Sequence, residues 1–132
     1  TNNGKTILNA NDFRKALGWK RIPSTSFRIS RHNDSFVFEG FLPQKKGRQK
    51  KLKQLSAEER TIVLYESSHR IVKLVNELVE YFPERYVVVC RELTKKFEEY
   101  WRGYPAEIKV SINEKTIKGE FVVVIANSNW KS

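Results

Sequence analysis

The sequence predicts an α/β domain with a mixed sheet of about five strands and helices packed on it. Short apolar runs, typical of buried strands, alternate along the chain with a strongly amphipathic helical pattern and weaker helix signals. The length of 132 residues suits one domain with a single hydrophobic core.

The first strand of this sheet is predicted between Phe36 and Phe41, which read "FVFEGF". Alternation along a strand places Phe36 and Phe38 on one face and Phe41 on the other. Gly40 inside the strand indicates a bulge or the close approach of another group. Pro43 ends the element.

The next two elements are a basic helix and a central strand. Residues 44–53 read "QKKGRQKKLK" and predict a helix that is cationic on most of its circumference, with Leu52 and Leu55 as its apolar anchors. Residues 61–65, "TIVLY", form a short apolar run of the length and β-branched content typical of a central strand.

An amphipathic helix follows this strand. Its apolar residues recur at helical spacing, and Pro83 ends it. They are Ile71, Leu74, Val75, Leu78 and Phe82. The run from Tyr86 to Cys90 predicts the next buried strand, so Cys90 is expected to be a core residue rather than a nucleophile.

The last third of the chain predicts three more elements. Residues 98–102 fit either a strand or a short helix, and Gly103 ends them. Pro105 at a first helical turn predicts a helix over about residues 106–110. Residues 119–126, "GEFVVVIA", predict the final strand.

Composition and charge bound the function. There are 25 Lys and Arg against 15 Asp and Glu, and the block at 44–53 holds cations without an anion. Such a block is typical of a protein that binds a phosphate backbone, although a solvated helix face gives the same pattern. The sequence shows no apolar run of membrane-span length and no secretory signal, and its single cysteine excludes an internal disulfide. A cytoplasmic protein is therefore predicted.

Polar clusters adjoin three predicted strands. They are "YESSHR" at 65–70, "RELTKKFEE" at 91–99 and "KGEF" at 118–121. Ligands of open α/β sheets bind at strand ends, and the N–H groups at the first turn of a helix can hold an anion. Ordinary capping explains the first cluster equally well. The two histidines, His32 and His69, lie far apart in sequence, so no metal site is predicted.

Four segments of the chain occur in an order and spacing that match one protein family. They read "FVFEGFLPQKKGRQKKLKQL", "EERTIVLYESSHR", "CRELTKKFEEYWRG" and "KGEFVVVIA". Together they resemble the C-terminal half of the bacterial small-subunit ribosomal RNA methyltransferase I family, within the tetrapyrrole methylase superfamily. The resemblance divides the chain into a divergent or loosely packed N-terminal basic segment (1–34), a C-terminal methyltransferase subdomain (35–126) and a polar tail (127–132).

The resemblance also implies a reaction. The family uses S-adenosylmethionine, without a metal, to methylate the ribose 2′-hydroxyl of a cytidine in small-subunit rRNA, usually as a homodimer. Its glycine-rich N-terminal domain is not recognisable here, and Ser68 stands where the family usually has proline. The chain is therefore expected to be one half of an enzyme and inactive alone. Two alternatives stay open: an RNA-binding module without catalysis, using Tyr100, Trp101 and Tyr104, or a methylase of corrins or porphyrins.

Three sets of site residues follow from the matched motifs. The residues implied to bind the cofactor are Tyr65, Glu66, Leu93, Thr94, Glu120 and Phe121, the last through its backbone and ring. The residues implied to face RNA phosphate are Lys45, Lys46, Arg48, Lys50 and Lys51. The candidates for a general base are Glu39, Glu66 and Glu92, by position alone.

Overall fold

A computed structural model describes residues 6–9, 35–93 and 95–130 of the chain. These described residues form six strands, three α-helices and one 3₁₀ turn. The strands are β1 (Thr6–Asn9), β2 (Ser35–Phe41), β3 (Thr61–Ser67), β4 (Val87–Arg91), β5 (Glu99–Gly103) and β6 (Glu120–Ile125). The helices are α1 (Arg48–Ser56), α2 (Ile71–Tyr81) and α3 (Pro105–Ser111), and the 3₁₀ turn is Ile112–Glu114.

All six strands form one mixed sheet in the order β1-β2-β3-β6-β4-β5. β2 and β3 pair in parallel, and the other neighbours pair antiparallel. The predicted α/β fold with a mixed sheet is confirmed, and residues 99–103 form a strand rather than a helix. β1 is an addition, since it lies in the segment predicted to be loosely packed. The segment "ANDFRKALGW" at residues 10–19 also predicts a short helix, but it lies outside the described residues.

The strand directions bring the predicted polar clusters to one edge of the sheet. β6 lies antiparallel between β3 and β4, so β2, β3 and β4 all run the same way. The carboxyl ends of these three strands therefore meet the start of β6 at the same edge. The β2–α1 connection begins at this edge, which also places the start of the basic helix there.

The core lies on both faces of the sheet. On one face, the apolar sides of the helices pack against alternate strand residues such as Ile62, Val89 and Val123. The other face carries Val63, Val88 and their neighbours, with an aromatic fringe that includes Tyr65 and Tyr100. Period-2 alternation of the buried strands accounts for both sets.

A β-bulge in β2 reverses one predicted side-chain direction. The pairing with β3 advances from Phe38 to Gly40 while β3 advances by a single residue, which leaves Glu39 as the extra residue. Gly40 adopts a φ of 70°, which a glycine accepts without strain. The bulge returns Phe41 to the face of Phe38, and both rings contact Tyr65. The predicted bulge is confirmed, whereas the prediction that Phe41 lies on the opposite face from Phe38 is wrong.

The C-terminal tail packs back on the domain as far as the structure describes it. Asn127 is buried, and the Ser128 N–H donates to the Glu59 carbonyl at 2.9 Å. The Trp130 ring stacks on Tyr86 with 4.4 Å between ring centroids. Residues 127–130 therefore extend the fold beyond the predicted end of the subdomain.

Cys90 is buried in β4, and burial, with a smaller effect of the Glu98 charge, raises the pKa of its thiol from 9.0 to about 12. Because the thiolate is the reactive species, we expect the native protein at pH 8 to react with a disulfide reagent about a thousandfold more slowly than the urea-unfolded chain. The thiol ionises more easily when unfolded, so its contribution to stability is complete below pH 9 and declines between pH 9 and about 12. Equal labelling rates with and without urea would contradict the burial.

Candidate functional site

A cleft of about 650 Å³ opens at the edge where β2, β3 and β4 end. Phe41 contributes from the end of β2, and residues 65–69 contribute from the end of β3 and the following turn. Leu93 and Lys95 come from the turn after β4, and residues 119–122 come from the start of β6. Four segments that are distant in sequence thus form one concave surface.

The structure brings together five of the six residues predicted to bind the cofactor. Tyr65, Glu66, Leu93, Glu120 and Phe121 all line the cleft. Thr94 lies outside the described residues. Lining does not mean that every side chain faces the cavity, and the five differ in what they present to it.

Tyr65 and Leu93 present apolar surface. The Tyr65 ring packs against Phe38 at 5.1 Å between centroids, and Leu93 packs against the same face of the sheet. Burial, together with the negative charge of Glu120, raises the pKa of the Tyr65 hydroxyl. Tyr65 therefore stays neutral at physiological pH and offers a flat ring and a hydroxyl.

Glu120 and Phe121 differ sharply although they are adjacent. The Glu120 side chain is 84% exposed, with its carboxylate 3.5 Å from the Lys95 ammonium. The Phe121 ring is buried in the core on the helix side, tilted against Trp101 at 5.4 Å. The prediction that the Phe121 ring closes the cofactor site is therefore wrong, because strand alternation turns the ring away and leaves only the rest of the residue at the cleft.

The Glu66 carboxylate is held in a buried ion-pair cluster. One carboxylate oxygen accepts hydrogen bonds from Arg70 Nε at 3.0 Å and from the Ser67 N–H at 2.8 Å. The other oxygen lies 3.4 Å from a terminal nitrogen of Arg48. These partners neutralise the charge and leave little capacity to accept a proton from a substrate.

The family resemblance implies that Arg48 faces RNA, but Arg48 is only 2% exposed. Its guanidinium donates to the Glu77 carboxylate at 2.7–3.1 Å and to the Pro43 carbonyl at 3.0 Å. The hydrogen bond to Glu77 is the main reason that the pKa of the guanidinium is raised. Arg48 thus joins α1 to α2 and to the end of β3, and the prediction that it binds phosphate is wrong.

Three of the other predicted RNA-facing cations are exposed. Lys45, Lys46 and Lys50 of the basic block at 44–53 lie on the surface. Lys51 is half-buried, with its ammonium 3.1 Å from the Glu39 carboxylate. Glu39 is itself almost fully buried, so this pair secures α1 against the bulge in β2.

Glu92 supports the wall between β4 and β6. It adopts a φ of 53°, donates its N–H to the Glu120 carbonyl at 2.9 Å, and pairs with Lys95 at 3.0 Å. Its side chain crosses directly over Gly119, where φ is 92° and any Cβ would overlap the carboxylate. Glycine is favoured at position 119 chiefly by this positive φ, and Glu92 acts as a brace.

Seven residues that line the cleft are not among the predicted site residues: Phe41, Ser67, Ser68, His69, Lys95, Gly119 and Val122. Phe41 was assigned to the wrong face because strand alternation was continued through the bulge that Gly40 indicates. His69 belongs to the polar cluster predicted at the end of β3, but its side chain was given no role. Lys95 lies in a segment of mixed charge where no position is distinguished by pattern.

Comparison with known proteins gives a consistent result. Residues 24–109 match the family model described as Tetrapyrrole (Corrin/Porphyrin) Methylases. The chain is similar to proteins named ribosomal RNA small subunit methyltransferase I: 46% identical over 97 residues in Synechocystis sp., 42% over 95 in Bacillus subtilis and 38% over 91 in Thermotoga maritima.

These matches cover 69–72% of this chain but only 32–41% of each relative, so the chain spans about a third of their length. Among solved structures, a cobalt precorrin-4 methyltransferase superposes with a TM-score of 0.55 at 16% identity. That superposition covers 86% of this chain and 46% of the other. At this identity it supports the fold and nothing finer.

Proposed function

The chain belongs to the tetrapyrrole (corrin/porphyrin) methylase family, and from this premise we propose that it is the C-terminal part of an S-adenosylmethionine-dependent rRNA methyltransferase. The proposed reaction methylates the ribose 2′-hydroxyl of a cytidine in small-subunit rRNA. The observation that carries the proposal is the identity of 38–46% to relatives named for small-subunit rRNA. We further propose a cytoplasmic homodimer, with residues 35–126 as the subdomain and residues 1–34 as a preceding basic segment.

The cleft is compatible with S-adenosylmethionine. Its volume of about 650 Å³ falls within the roughly 300–1,000 Å³ typical of small-molecule sites. Tyr65 and Leu93 would contact the adenosine, and the exposed Glu120 carboxylate could accept hydrogen bonds from hydroxyl groups. The cofactor would supply an electrophilic methyl group. We propose that the rest of the cofactor cleft is formed by an N-terminal domain of the full-length protein.

The contribution of this chain to the reaction is alignment and charge. The apolar wall around Tyr65 would exclude water from the occupied cleft, and the exposed Lys45, Lys46 and Lys50 would attract the RNA backbone. Holding a hydroxyl and a methyl donor in line can contribute roughly 7–11 kcal/mol to lowering a barrier. Such a reaction depends more on holding the ribose hydroxyl and the methyl donor in line than on a strong acid or base.

The three candidate carboxylates do not favour a base in this chain. Glu39 pairs with Lys51, Glu66 with two arginines, and Glu92 with Lys95. Each pair has a structural role that deprotonation of a substrate would disturb. A general base in this chain therefore stays a proposal, and none of the three carboxylates is favoured for that role.

Burial weighs against the alternative of an RNA-binding module that uses Tyr100, Trp101 and Tyr104. Trp101 lies in the core on the helix side, so its ring is not available for stacking on a base. Tyr100 is partly buried and hydrogen-bonded to Glu98, and burial is the main reason that the pKa of its hydroxyl is raised. The alternative of a corrin or porphyrin substrate is less favoured because the relatives of 38–46% identity are named for small-subunit rRNA.

The function is tested with labelled S-adenosylmethionine and small ribosomal subunits. We expect the intact parent protein to transfer methyl groups to rRNA, and this chain alone to give no transfer above background, because only part of the cofactor cleft is present. Mapping of the product should place the label on a ribose 2′-oxygen. Methyl transfer by the isolated chain would contradict the division of the cleft, and an intact parent that methylates a tetrapyrrole but not rRNA would contradict the proposed substrate.

A further inference from the structure

Phe41 is an exposed aromatic side chain at the rim of the cleft. It is 61% exposed, which is unusual for a large apolar residue inside a strand. Its ring contacts Tyr65 at 5.5 Å between centroids, with 62° between the ring planes. Tyr65 is supported in turn by Phe38 at 5.1 Å. One side of the Phe41 ring is therefore held against the sheet while much of its surface is open.

The bulge in β2 is what directs this ring to the cleft. Without the extra residue at Glu39, strand alternation would turn Phe41 to the helix side, where Leu42 lies buried instead. The bulge is held by Gly40 at positive φ and by the pair between Glu39 and Lys51. The extra residue in β2, the positive φ of Gly40 and the ion pair between Glu39 and Lys51 thus maintain an exposed ring at one place on the cleft edge.

Exposed cations follow Phe41 closely. Lys45 and Lys46 lie on the surface four and five residues later, so an extended chain limits the Cα distance from Phe41 to Lys45 to about 14 Å. Lys50 adds a third exposed cation on α1. An aromatic platform beside cations is the combination that binds single-stranded nucleic acid: bases stack on the ring and phosphates pair with the cations.

We propose that Phe41 is a stacking platform for an unpaired base of the RNA strand, with Lys45 and Lys46 on the neighbouring phosphates. This inference rests on the proposed function and adds a substrate-positioning residue to it. The cofactor adenine is a less suitable occupant, because it needs no cations and because Tyr65 and Leu93, which are partly buried, already offer it an apolar wall. The expected substrate is thus a single-stranded or unpaired region rather than a continuous duplex.

The test measures binding of this chain to a fluorescently labelled single-stranded oligoribonucleotide by anisotropy. We expect Phe41→Ala to weaken binding about 5- to 150-fold, the effect of losing one stacked base, and Phe41→Trp to keep or strengthen it. The slope of log affinity against log salt should be unchanged in Phe41→Ala. It should fall in magnitude by about 0.7 in Lys45→Gln, which removes a phosphate contact.

Phe97→Ala is the matched control, since Phe97 is 69% exposed but does not line the cleft; its affinity should equal that of the wild-type chain. Equal RNA affinity of Phe41→Ala and the wild-type chain would overturn the stacking proposal alone. Absence of salt-dependent RNA binding by the wild-type chain would instead count against the proposed function. Weaker S-adenosylhomocysteine binding by Phe41→Ala in the intact parent, with RNA affinity unchanged, would assign the ring to the cofactor and also overturn the proposal.

Discussion

Replacing Arg48 with methionine is expected to lower the free energy of unfolding by about 3–5 kcal/mol. Methionine keeps the apolar stem of the side chain but removes all five of its hydrogen bonds, which go to Glu77, Pro43 and Glu66. The Glu77 carboxylate, at 2.7 Å from the guanidinium, would lose the cation that neutralises it, and Glu66, at 3.4 Å, would lose one of its two arginine partners while keeping Arg70. The Pro43 carbonyl would lose its donor as well.

Urea unfolding followed by circular dichroism measures this loss. Lys50→Met is the control, since Lys50 is exposed on the same helix and its replacement should change stability by less than about 0.5 kcal/mol. A double variant, Arg48→Met with Glu77→Gln, should recover part of the loss because it no longer leaves a bare carboxylate in that position. A loss below about 1 kcal/mol in the single variant would show that the buried ion pairs of Arg48 do not stabilise the fold. Such a result would support the prediction that Arg48 binds RNA phosphate.

Replacing Phe121 with alanine is expected to destabilise the fold by about 3–5 kcal/mol. The ring is fully buried between the sheet and the helices and packs on Trp101. Alanine would leave a cavity that strand and helix backbones cannot close. Phe121→Leu should cost less, because leucine fills more of the same space.

This variant separates a core role from a cofactor role. If the Phe121 ring is core, Phe121→Leu in the intact parent should keep its affinity for S-adenosylhomocysteine while its unfolding midpoint falls. If the ring instead contacts the cofactor, the affinity should fall with little change in stability. Phe97→Ala again serves as the control, with an expected change in stability within about 0.5 kcal/mol.

Local pattern was sufficient for most of the fold. The spacing of Ile71, Leu74, Val75 and Leu78 predicts α2, because a helix buries a single stripe of side chains whatever it packs against. Continuous apolar runs predict β3, β4 and β6 for a similar reason, since a central strand is buried on both faces. The clusters that follow these strands predicted the edge at which the cleft lies.

The site was predicted less well because side-chain direction depends on distant contacts. Arg48 and Lys50 are equivalent in a basic run, yet only Arg48 meets Glu77, which lies 29 residues further along the chain. Phe121 follows Glu120 directly, but alternation sends one to the core and the other to solvent. No local signal distinguishes Arg48 from Lys50.

By itself, the sequence determined the α/β class, the order of most strands and helices between β2 and β6, and the family resemblance, since all of these depend on local periodicity and ordered motifs. The tertiary structure decided which charges are buried, that β6 lies between β3 and β4, and that a bulge turns Phe41 to the cleft. The physical reason is that burial of a charge or a ring is settled by its partners across the fold. Arg48 is buried only because Glu66 and Glu77 are there to receive it.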